Sequence, residues 1–326
     1  MEEEIMLKRV MALAVVFALA LTVAGCGTST TTDTGDMAEP KGTVTVGSKI
    51  DTEGGVLGQI MVAMLEENGF DVVDKTKTGT TEVVRKALLA GEIDMYPEYT
   101  GTALTQYFTG TTIDPGVSKD AQAAFDTVKK LDAEQNDIVW LERAPANNTW
   151  AIAIPGALST SENITTLADW AAYINKGGAV KLVASQEFVD RTEDGVPAIE
   201  AAYGFKLNAD QLIVLSGGDT AQTEAAAAQG TNGANAAMAY GTDGSLSALG
   251  LVTLGDPKSI WPVYEAAPLV RGDVMTEYPE IATILDPVFQ GLTIETLQEL
   301  NGRVAVDGAD PKTVAREYLQ SKGLIK

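Results

Sequence analysis

The chain has no histidine, a single cysteine in 326 residues, and few aromatics, 6% of the total. Without histidine there can be no Ser-His-Asp triad, no imidazole acid/base catalysis and no His-ligated metal. Cys26 alone can form neither an internal disulfide nor a thiolate metal cluster. Basic residues are also scarce: 23 Lys and Arg stand against 45 Asp and Glu, a net charge of −22. No cluster of them offers the basic face that counterion release from nucleic acid requires. Nor is there a GxSxG elbow, a P-loop or a metal-binding motif. The expectation is a protein that performs no chemistry, with no cofactor, no metal and no nucleic-acid partner.

What is present begins with a leader. Lys8 and Arg9 precede the apolar run VMALAVVFALALTVAG, which is shorter than a typical spanning helix and ends in small residues before Cys26. Val23-Ala24-Gly25-Cys26 resembles the bacterial lipobox, in which cleavage leaves an N-terminal, lipidated cysteine. Residues 1–25 are thus expected to be a lipoprotein signal peptide, with translation starting at Met1 or Met6. Residues 26–41 are polar, small and without hydrophobic period, a flexible tether. Asp33-Thr34-Gly35 within it, the triplet of an aspartic protease, has no second copy and no flanking strand pattern. No later apolar run is long enough to cross a membrane. The body is therefore expected to be extracytoplasmic, monomeric and held at the cell membrane by a lipid on Cys26.

With 45% hydrophobic residues the remainder can bury a large core. Strand signals (TVTVGS, FDVVDK, IDMY, TWAIAIP, VKLVAS, LIVLS, NAAMAYG, LVTLGD, YEAAPLVR) alternate with helical ones. TTEVVRKALLAGE has a cap at Thr80 or Thr81 and a stop at Gly91, and GDTAQTEAAAAQG reads as a further helix. Three helices close the chain, the last opening at Asp310-Pro311. This alternation predicts an α/β fold with largely parallel sheets. Its length predicts two lobes: 42–145 for the first, 146–250 for the second, and 251–326 returning to the first. Ligands of such folds sit at the carboxyl ends of strands and in interdomain clefts. DMYPEYTGTAL lies at one such end, with Pro97 and Gly101 expected to shape a tight turn.

VGSKI, GEIDMYPEYTGTALT, NNTWAIAI, SQEFVDRTEDG, AYGTDG and PVYEAAPLVR occur in the order found in the glycine betaine/carnitine/choline-binding proteins, which residues 41–326 resemble throughout. YPEYTGT and AYGTDG are fairly specific; VGSK alone is weak. The resemblance implies a type II periplasmic-binding-protein fold, two α/β lobes closing on a ligand by a hinge. It also implies an extracytoplasmic receptor delivering a quaternary ammonium osmoprotectant to an ABC permease.

Such a ligand explains the residues. A trimethylammonium group has charge but no N–H, so aromatic faces suit it, each worth about 0.5–2 kcal/mol when desolvated. A carboxylate at the other end of a betaine calls for charge-assisted donors. Matched to the family's motifs, the resemblance implies that Tyr99, Tyr240 and Tyr264 form an aromatic cage and that Lys49, Thr102 and Arg191 form the carboxylate clamp. Arg191 lies among Asp190, Glu193 and Asp194, so a local salt bridge is a rival role for it. The family's further aromatic after the crossing between lobes is replaced by RAPANNTWAIAI, which leaves Asn147 or Trp150 as an additional wall, Trp150 having core packing as its alternative. Tyr96 and Trp261 are assigned structural roles. The nearest alternative function is the same fold binding an amino acid or polyamine, whose N–H groups would call for carboxylates in the site.

Overall fold

The computed structural model describes residues 41–217 and 219–326. The leader, Cys26 and all of the tether before Lys41 lie outside the described residues.

Among the described residues, ten strands form two five-stranded sheets. The first holds β1 (Thr43–Lys49), β2 (Asp71–Gly79), β3 (Met95–Tyr99), β4 (Ile138–Trp140) and β10 (Ala266–Arg271), in the order β2-β1-β3-β10-β4. The second holds β5 (Trp150–Pro155), β6 (Leu182–Ser185), β7 (Leu212–Leu215), β8 (Ala236–Tyr240) and β9 (Leu251–Thr253), in the order β7-β6-β8-β5-β9. The two sheets share one topology. β1 runs parallel to β2 and β3, and β6 runs parallel to β7 and β8. β10 is antiparallel to both its neighbours, as is β5. In each sheet the reversed strand is the one whose chain has just arrived from the other sheet, so the expected parallel order is broken only where the lobes exchange strands.

The chain crosses between β4 and β5 and returns between β9 and β10. β9 belongs to the second sheet, so the return follows Thr253 and not residue 250. The two crossing segments are paired: Asn147 bridges Glu265, and the Asn148 N–H donates to the Tyr264 carbonyl at 2.8 Å. Two short connections held side by side are a physical basis for a hinge.

Helices start where their caps stand. The Asp51 side chain accepts from the Gly54 N–H at the head of the helix Thr52–Glu67, and Asp310 caps Pro311–Ser321. Thr52–Glu67 is mostly apolar and is buried on all sides from Thr52 to Leu65, between the first sheet and the three long C-terminal helices. Four helices close the chain, not three: Gly272–Glu277 precedes Glu280–Gln290, Ile294–Ala305 and Pro311–Ser321. No helix among the described residues is long and apolar enough to cross a membrane.

The stretch around Pro97 departs from expectation. It is not a turn: β3 runs through Pro97 to Tyr99, and Pro97 faces Pro268 of β10. The Thr100 N–H donates to the Glu265 carbonyl at 3.1 Å. In an antiparallel ladder bonded and non-bonded pairs alternate, which makes Pro97 and Pro268 a non-bonded pair whose missing N–H groups leave the ladder intact. Past Tyr99 the chain coils at once into Thr100–Thr102 and a π-helical turn, Ala103–Tyr107. Gly101 is needed for space, because a Cβ there would lie 2.7 Å from the Tyr264 ring and 2.8 Å from the Val263 carbonyl.

Candidate functional site

The carboxyl ends of β1, β3 and β8, the segment following β6, and the first residues of the reversed strand β5 meet at one cavity. Lys49, Tyr99, Thr102, Trp150, Arg191, Tyr240 and Tyr264 all line it, as do Asp51, Asn148 and Glu187. Asn147 does not: its side-chain oxygen accepts from the Tyr264 N–H at 2.8 Å, so it fixes the Tyr264 backbone, and Asn148 takes the wall position. Thr80, Thr81, Glu187 and Arg191 also border a wider cleft, an approach from outside.

On the first lobe, Lys49 Nζ lies 2.6 Å from Glu98 Oε1, 3.4 Å from Thr102 Oγ1 and 4.9 Å from the centre of the Tyr99 ring. Glu98 is fully buried. It also accepts from the Tyr96 hydroxyl at 2.9 Å, from the Tyr107 hydroxyl and from the Tyr99 N–H at 2.7 Å. Lys49 is therefore not a free cation, because its charge is balanced by a carboxylate that needs it. Tyr96 is wholly buried behind that carboxylate, the structural place expected of it. The Tyr99 hydroxyl donates to Glu53 at 2.9 Å, which holds the ring at the cavity wall.

On the second lobe, Trp150 and Tyr240 are register partners whose rings lie 4.7 Å apart, and Phe188 stacks on Trp150 at 4.6 Å. Trp150 is only 4% exposed. It is at once core and cavity lining. Its Nε1–H donates to the Tyr264 hydroxyl at 3.1 Å, and that hydroxyl donates to Asp194. Trp261 Nε1–H donates to the Asp194 carbonyl, outside the cavity lining. Burial holds the phenols of Tyr99, Tyr240 and Tyr264 well above their ordinary range, so all three rings stay neutral at physiological pH.

Arg191 is 6% exposed. Its Nε is 3.4 Å from Asp194 and its Nη1 3.8 Å from Glu187, neither in hydrogen-bond geometry, and Nε and Nη2 have no hydrogen-bond partner among the described residues. The rival salt bridge exists, but as a loose, buried one. Buried guanidinium N–H groups without acceptors are costly unless something else accepts from them.

Residues 42–321 match the family model described as the substrate binding domain of ABC-type glycine betaine transport system. The chain belongs to this family. It is 52% identical over 283 residues to the glycine betaine-binding protein YehZ of Escherichia coli (strain K12), covering 87% of this chain and 92% of the relative. It is 33% identical to a glycine-betaine-binding protein of Pseudomonas aeruginosa, covering 87% and 89%. The solved structure of apo YehZ superposes with a TM-score of 0.63 over 88% of this chain and 100% of that one. A glycine betaine/carnitine/choline ABC transporter structure, 19% identical, gives 0.67 over 87% and 100%, which shows the shared fold, that of a type II periplasmic binding protein. Within this betaine-transport member, Glu53, Glu98 and Asn148 are the site neighbours that sequence reasoning missed. Glu98 stood in plain view inside YPEY, an acid between two aromatics in a buried strand. Glu53 looked like first-turn helix chemistry, and nothing local distinguished Asn148 from Asn147.

Proposed function

We propose that the cavity binds a zwitterionic quaternary ammonium compound of the glycine betaine type, with its ammonium against Tyr99, Tyr240 and Tyr264 and its carboxylate at Arg191 and Thr102. The observation that carries this reading is the pairing of three neutral tyrosine rings with a buried guanidinium whose Nε and Nη2 lack acceptors. Three rings at about 0.5–2 kcal/mol each, with charge-assisted bonds to a carboxylate, are enough for a micromolar complex of about −8 kcal/mol. Lys49 contributes by neutralising Glu98 and holding Thr102, a supporting part rather than a direct clamp.

The protein then acts as a receptor, not a catalyst. It traps the solute between its lobes and delivers it to an ABC permease, as a monomer tethered to the membrane through a lipid on Cys26. The body comprises a first lobe carrying β1–β4 and β10 and a second carrying β5–β9.

A second reading has one observation in its favour. Asp51 and Glu187 line the cavity, and carboxylates suit a primary amine such as an amino acid or polyamine. Both are partly engaged, Asp51 as a helix cap and Glu187 near Arg191. Calorimetric titration with glycine betaine, proline betaine, carnitine, choline, amino acids and polyamines decides between them. Binding of betaines is expected; tight binding of an amino acid or polyamine with none of the quaternary compounds would overturn the first reading.

A further inference from the structure

Glu53 is 4% exposed, yet no Lys or Arg among the described residues pairs with it. A buried carboxylate without a cation persists only if hydrogen bonds replace its water. Glu53 Oε1 accepts from the Tyr99 hydroxyl at 2.9 Å and from Asn148 Nδ2 at 3.0 Å; Oε2 accepts from Asn301 Nδ2 at 2.7 Å. Burial pushes the Glu53 carboxyl above its ordinary range, and the Thr242 hydroxyl, Asn301 and Tyr99 oppose that shift.

Asn301 does more than satisfy Glu53. It projects from the helix Ile294–Ala305 of the first lobe, and its Nδ2 also donates to the Thr242 carbonyl at 3.0 Å. Thr242 lies in the loop that follows Tyr240 in the second lobe. Gln298, one turn earlier on the same helix, donates to the Gly241 carbonyl at 2.9 Å. At Gly244 the loop and helix touch backbone to backbone: a Cβ there would lie 2.0 Å from the Gln298 carbonyl and 2.5 Å from the Gly302 nitrogen. Asn301 and Thr242 are 2% and 0% exposed. A continuous buried chain thus runs from the Tyr99 hydroxyl through Glu53 and Asn301 to the loop that follows Tyr240.

We propose that Asn301 is a positioning residue of the ligand site, tying the Tyr240 loop of one lobe to Glu53 and so to the Tyr99 ring of the other. Ligand affinity then depends on a contact that never touches ligand. This rests on the betaine reading only for the choice of ligand.

The test is a double-mutant cycle on the purified protein, titrated with glycine betaine. Asn301→Ala and Tyr99→Phe, which keeps the ring and removes only its hydroxyl, should each weaken binding by about tenfold, and the double variant should be little worse than the weaker single one. Residues acting separately would give multiplied losses, and a merely structural Asn301 would lower the melting temperature while leaving the affinity of the folded protein unchanged. Either result overturns the proposal. If the wild type binds no quaternary ammonium compound, the functional reading fails, and the tie is judged without ligand by hydrogen exchange. Tyr99→Phe should then speed exchange of the Gly241–Gly244 amides, and unchanged exchange would refute the tie.

Discussion

Trp150 and Tyr240 stand opposite one another across β5 and β8, their rings 4.7 Å apart and tilted by 37°. Trp150 is buried and Tyr240 only half-buried, so the pair presents its second ring to the cavity while the first anchors it.

Tyr240→Ala should therefore weaken betaine binding by about tenfold or more, the equivalent of ~1.4 kcal/mol, with little loss of stability. Tyr240→Phe should keep most of the affinity. Calorimetry beside thermal melting checks both, and an unchanged dissociation constant for the alanine variant would remove Tyr240 from the ligand site.

Arg191→Ala should harm glycine betaine more than choline, because choline has no carboxylate to accept from the unpartnered Nε and Nη2. Parallel titrations of the two ligands measure the ratio. Equal losses would mean that Arg191 supports Asp194 and Trp150 and does not meet ligand.

Lys49→Met should act first on stability. It leaves Glu98, fully buried, without its cation at 2.6 Å, a change that costs about 3–5 kcal/mol. Urea unfolding reads this directly. A variant of native stability with lost affinity would restore Lys49 to the ligand clamp.

Asp243 gives a pH signature. Burial and the adjacent Glu224 hold its carboxyl well above the ordinary carboxylate range, while it accepts from the Tyr240 N–H at 2.6 Å and from Thr220 at 2.9 Å. The folded protein keeps a proton there that the unfolded chain releases from about pH 4 upward, so this group lowers stability as pH rises from that point to its folded pKa. Asp243→Asn removes the titration. Its stability relative to wild type, followed by urea unfolding, should improve as pH rises above about 4 and level off once the folded Asp243 carboxyl has itself titrated; a constant difference would contradict the shift.

The sequence by itself determined what local chemistry controls. Thr80 and Asp310 stand where their helices begin, and the Asp310 side chain accepts from the Thr313 N–H, because a capping side chain and the N–H it satisfies are near neighbours in the chain. Apolar runs marked the strands, and the motifs YPEYTGT, AYGTDG and PVYEAAP carried the three tyrosines that the fold brings to one cavity. Only the tertiary structure decided which charges are free. Lys49 and Glu98 meet because β1 and β3 are sheet neighbours, Asn148 reaches the cavity while Asn147 turns to the Tyr264 backbone, and β9 joins the second sheet. Pro97 sits within a strand because its partner is another proline in a non-bonded pair. Each of these depends on strand order and register between distant segments, where the burial that turns an ordinary polar residue into a costly one is set by the whole fold.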